Sequence, residues 1–146
     1  RNSDIVSNLD FAQTFLDIAG VKSPADMQGT SLVPLFKGHT PKDWRTHFYY
    51  HYYEFPGAHS VARHYGVTNG RHKLIHFYQK NEWELFDLKK DPNELQSVYG
   101  NSDYKTIQSD LLAELKRLRV HYKVPEEDPV PPKRKRPNQP NRPKKK

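Results

Sequence analysis

The chain has 146 residues, with 24 Lys plus Arg against 17 Asp plus Glu, and no Cys. That length suits one domain. The absence of Cys excludes disulfides, cysteine nucleophiles, Cys-ligated zinc and iron–sulfur clusters, and no run reaches the ~18–20 apolar residues of a membrane span.

The charge is uneven. Lys133 to Lys146 holds eight basic residues and no acid, so the other 132 residues sum to −1. Seven of the 12 prolines fall between Pro125 and Pro143. Too apolar-poor to offset the entropy of folding, 125–146 reads as a disordered basic tail. Such a tail attracts nucleic acid, anionic lipid or sulfated polysaccharide. A small basic polyanion-binding module acting through this tail is therefore one functional reading.

In chain order, residues 4–9 read as a short strand or an extended entry. Asp10 then reads as a helix N-cap with Gln13 as its capping-box partner. Phe11, Ala12, Phe15, Leu16 and Ala19 share one helical face, and Gly20 ends the helix. Residues 21–46 are loop-like, with a short turn at Leu32–Phe36. Strands are expected at 47–54, 60–68, 71–78 and 83–88; the middle pair flanks Asn69-Gly70, a strong hairpin signal. Asp91-Pro92-Asn93-Glu94 reads as a helix start. Tyr104, Ile107, Leu111, Leu115, Leu118 and Tyr122 mark a longer amphipathic helix. These elements predict an α+β unit, a four-stranded antiparallel sheet with a C-terminal helix across one face.

Seven of the eight His lie between His39 and His76. His47 with His51, and His72 with His76, fall on common strand faces. Packing among Tyr is the favoured account, with a zinc or copper site the alternative. In the loop 54–59, which leads to Arg63-His64, Pro56-Gly57 makes a tight turn that can hold His59 rigidly at a pocket edge. An Arg fork binds oxyanions, so His59, Arg63 and His64 are the candidate substrate-binding residues. No Gly-x-Ser-x-Gly elbow, phosphate loop or dinucleotide fingerprint occurs.

The ordered series Asp10-Phe-Ala-Gln-Thr-Phe-Leu-Asp-Ile-Ala-Gly20, Met27-Gln-Gly-Thr-Ser-Leu32, Tyr52-Tyr-Glu-Phe-Pro-Gly57, Arg63-His-Tyr-Gly-Val67, Trp83-Glu-Leu-Phe-Asp-Leu88 and Asp91-Pro-Asn-Glu94 resembles the sulfatase family. The likeness runs from about Ile5 to Tyr122. It is greatest to the C-terminal region named after N-sulphoglucosamine sulphohydrolase and to the glucosamine-6-sulfatase-like branch. The resemblance implies a C-terminal fragment of a sulfuric ester hydrolase acting on sulfated glycans, and enzymes of this kind are often exported. Residues 1–44 would close the large catalytic domain with its last strand and helix. Residues 45–124 would be the C-terminal subdomain, and 125–146 the tail. Calcium and a formylglycine made within Cys/Ser-x-Pro-x-Arg would belong to a missing N-terminal part, because this chain has neither that motif nor the paired metal-binding Asp. No catalytic residue and no metal ligand is therefore assigned, and the chain alone is expected to be inactive. His59, Arg63 and His64 would hydrogen-bond the sugar.

Overall fold

The computed structural model describes residues 2–55, 57 and 59–128. The basic run from Lys133 and its proposed polyanion contact lie outside the described residues. Helix α1 spans Leu9–Ile18 and the short α2 spans Val33–Phe36. Strands β1 (Phe48–Tyr52), β2 (His64–Thr68), β3 (His72–Phe77) and β4 (Glu82–Asp87) follow. A 3₁₀ turn at Ser102–Tyr104 leads into α3, Lys105–His121. Among the described residues, no helix is long and apolar enough to cross a membrane.

The sheet is an antiparallel meander in the order β1-β2-β3-β4. Its β2–β3 hairpin turns at Asn69-Gly70 as expected. Asn69 Oδ1 accepts from the N–H groups of Arg71 (3.0 Å) and His72 (2.7 Å), and Gly70 takes a φ of 85°. Alternate residues face α3. Val67, Leu74 and Leu85 from the sheet meet Leu111, Leu115 and Leu118 from the helix, and all six are buried. The stripe stepping by three and four along α3 thus finds the strand face with period two. On the opposite face Gly66 leaves room for Tyr50. A Cβ there would stand 2.7 Å from the Tyr50 hydroxyl and would strike the Leu74 carbonyl.

Three local expectations are corrected. Residues 2–7 form no strand. No neighbouring strand offers them a ladder, and the Ser7 N–H is taken instead by the Asp10 carboxylate at 2.7 Å. Asp10 is not the N-cap; Asn8 holds that position, and Asp10 sits inside the first turn. Its carboxylate accepts from the Thr30 N–H (2.9 Å) and from Arg45 Nη1 (2.8 Å). With its amide oriented to satisfy both neighbours, Gln13 donates to the Leu9 carbonyl and accepts from the Gly29 N–H. Thr14 accepts from the Leu32 N–H at 2.9 Å. The buried face of α1 is therefore polar, and it serves as a hydrogen-bonding spine for the 28–32 loop.

The third correction concerns Asp91–Glu94, which starts no helix. Glu94 has a φ of 54°, outside the helical region, and its carboxylate pairs with Lys73 at 2.7 Å. Asp91 accepts from the Gln96 N–H, which closes a turn.

The segment expected to be tail from 125 begins differently. Its first four residues are described, and Asp128 is bonded back to the sheet.

Candidate substrate-facing site

Arg63 and His64 are neighbours in sequence, so the strand turns their side chains to opposite faces. Arg63 lies on the α3 side. Its Nη1 donates to Asp128 Oδ2 at 3.1 Å, and its Nη2 donates to the Phe55 carbonyl at 3.3 Å. One guanidinium thus joins the sheet, the 53–60 loop and the 124–128 segment. Tyr78 donates to the same Asp128 oxygen at 2.5 Å, and His51 Nε2 stands 3.3 Å from the other oxygen. Burial, then Asp128, pushes the Tyr78 hydroxyl pKa up, so it remains a donor. Burial pushes the His51 pKa down against the pull of Asp128.

His64 lies on the other face. Its ring stacks on Tyr52, with centroids 5.5 Å apart, and meets Phe77 at 5.2 Å. His64 Nδ1 lies 2.8 Å from the Ala62 carbonyl oxygen. A carbonyl can only accept, so Nδ1 carries a proton and donates to it. His59 sits in the exposed loop beyond β1. Gly57 N–H donates to the Glu54 carbonyl at 2.9 Å and Ser60 N–H to the Gly57 carbonyl at 3.1 Å. The three candidates therefore do not share one pocket. Arg63 and His64 are separated by the sheet, and Arg63 anchors the loop that carries His59.

Of the other His, His72 and His76 are packed on β3, His47 precedes β1, and His39 and His121 are exposed in a loop and at the end of α3. His76 stacks on Trp83 at 3.8 Å and bonds the Tyr65 hydroxyl at 2.9 Å. His72 lies 3.7 Å from Asp87 and His47 lies 3.7 Å from Glu114. Among the described residues no group of three or more His, Asp or Glu is placed to hold a metal ion.

The partners that sequence reasoning missed are His51, Tyr78 and Asp128. The period-two pattern puts His51 on the Arg63 face. Nothing in the sequence brings Asp128 there, 50 residues beyond Tyr78.

The family model described as N-sulphoglucosamine sulphohydrolase, C-terminal, matches residues 1–121. The chain belongs to this family. It is 49% identical over 125 residues to an N-acetylglucosamine-6-O-sulfatase of Bacteroides thetaiotaomicron, covering 84% of this chain and 22% of that protein. A delta 4,5-hexuronate-2-O-sulfatase of the same organism is 33% identical, with 78% of this chain and 23% of that protein covered. A solved structure of a protein in complex with its substrate D-glucosamine-2-N,6-O-disulfate superimposes with a TM-score of 0.76 at 48% identity, over 80% of this chain and 24% of that one. The sulfatase C-terminal region so identified spans less than a quarter of the length of these two curated relatives.

Proposed function

We propose that this chain is the substrate-facing C-terminal part of a sulfatase acting on sulfated glucosamine residues of glycans. The observation that carries this reading is the 49% identity to an N-acetylglucosamine-6-O-sulfatase. Residues 1–44 close the large catalytic domain and 45–124 form the C-terminal subdomain. The ester is cleaved by groups in the rest of a longer polypeptide.

Calcium and formylglycine, which the sulfatase assignment implies, do not fit this chain. It has no Cys, and no Ser stands two residues before a Pro. The described residues also provide no carboxylate cluster for the ion.

What the chain supplies is recognition. His64 Nε2 hydrogen-bonds a sugar hydroxyl, its ring fixed by Ala62 and the Tyr52 stack. His59 hydrogen-bonds the sugar from the loop, and Arg63, on the other face of the sheet, contributes by holding that loop through the Phe55 carbonyl.

The test uses the longer polypeptide. His59→Ala and His64→Ala should each raise KM for a 6-O-sulfated N-acetylglucosamine about tenfold, the weight of one hydrogen bond of ~1.4 kcal/mol, with kcat little changed. If neither variant moves KM, the recognition role is lost. The chain by itself should leave an aryl sulfate intact in the presence of calcium, and turnover there would overturn the assignment of catalysis to other residues.

A further inference from the structure

Three donors from separate strands and turns converge on a single carboxylate. Arg63 Nη1 lies 3.1 Å from Asp128 Oδ2, the Tyr78 hydroxyl 2.5 Å from the same atom, and His51 Nε2 3.3 Å from Oδ1. The side chains of His51, Arg63 and Asp128 are only 16, 21 and 14% exposed. A guanidinium, a phenol and an imidazole around one oxyanion form a charge-assisted donor set.

The carboxylate does not use all of the donors around it. Arg63 Nε and the Tyr49 hydroxyl are both buried without a hydrogen-bond partner. Tyr49 flanks His51 and Tyr65 on this face, with centroids 6.3 and 6.5 Å away. Two carboxylate oxygens leave donors unpaired that an anion with three free oxygens would engage. Burying unpaired donors is costly, so a better-matched anion has something to gain.

We propose that Arg63, Tyr78 and His51 form an oxyanion site that the chain plugs with its own Asp128, and that the site takes the sulfate group of an acidic saccharide when Asp128 swings out. The anion site stands on its geometry alone, whereas the choice of a saccharide rests on the sulfatase reading. Asp128 is the last described residue, at the end of the segment that follows α3. Its release rehydrates one carboxylate and leaves the sheet core intact.

The experiment is isothermal titration of the full chain with sodium sulfate, at an ionic strength held constant with chloride. Asp128→Ala should bind sulfate at least about tenfold more tightly than the parent chain, since one competing ion pair worth ~1.4 kcal/mol is removed. Adding Arg63→Gln to that variant should return binding to the parental level. Every protein in the series keeps the tail, so its non-specific contribution cancels. If Asp128→Ala loses its helical circular dichroism, Asp128→Ser with and without Arg63→Gln takes its place.

Binding equal to the parent's in the Asp128 variant would overturn the proposal, as would binding that survives Arg63→Gln. The readout is binding, not turnover. A tight sulfate site in a polypeptide that hydrolyses no sulfated glucosamine would sink the sulfatase reading and leave the anion site standing. Turnover without this site would do the reverse.

Discussion

Asp10 is fully buried, and burial alone would raise its pKa. Arg45 and the N–H groups of Thr30 and Ser7 outweigh that and hold the carboxyl below its ordinary value. Asp87 is lowered to about 2, chiefly by Arg71. Both folded-state values are depressed, so both carboxylates contribute stability above their unfolded pKa, near 4. That contribution is lost as the pH falls through the folded value, which for Asp87 means between ~4 and about 2. Arg45→Ala would strand the Asp10 charge inside the protein. Breaking a buried pair in this way costs ~3 kcal/mol. Urea unfolding of the variant should show that loss at pH 7. The gap from the parent should narrow at pH 3, because without Arg45 the buried Asp10 carboxyl takes up a proton more readily. An equal gap at both pH values would mean that packing rather than charge sets the cost.

Elements were legible where one period dominated. The apolar stripe of α3 and the Asn69-Gly70 turn sufficed to place the helix and hairpin that carry the core. The sequence misled where two patterns overlapped. Asp10 with Gln13 has the spacing of a capping box, yet tertiary partners in the 28–32 loop and at Arg45 claim both side chains. Asp91–Glu94 has the chemistry of a helix start, but the ion pair to Lys73 and a left-handed Glu94 make it a turn. Gly66 is a sharper test of how the sheet is built, because β2 passes close under the Leu74 carbonyl and the Tyr50 ring. Gly66→Ala should destabilise the fold by ~1–3 kcal/mol, the usual cost of overpacking. Trimming the Tyr50 hydroxyl in Gly66→Ala/Tyr50→Phe should recover little, because the backbone carbonyl cannot move aside. Full recovery would show that the tyrosine alone enforces the glycine. Urea midpoints of the two variants distinguish these outcomes.

Across the whole molecule, the surroundings of the candidate residues were only partly legible. The sequence placed His59, Arg63 and His64 in one stretch of chain but was silent on the sheet between Arg63 and His64 and on Asp128, because contacts over such separations leave no local pattern. The same scale explains α1, whose polar side is buried and whose apolar side is left outside. Leu9, Phe11, Phe15 and Ile18 are 52, 53, 70 and 67% exposed, and Val6, Val21 and Phe36 are exposed as well. Contiguous apolar surface beyond a few hundred Å² marks an interaction face. The relatives carry more than three further quarters of polypeptide, and we propose that this portion covers α1. The chain by itself should then associate through that face. Light scattering should show its mean mass rising with concentration, and Phe11→Ser/Phe15→Ser should hold it at the mass of one chain. The core would be untouched, because the hydrogen bonds of Asp10, Gln13 and Thr14 lie on the opposite side of the helix. A parent chain that stays monomeric throughout would mean that the exposed stripe is tolerated. Association that persists in the double variant would place the contact elsewhere, with the aromatic residues Tyr53 and Phe55 of the 53–60 loop as the next exposed patch.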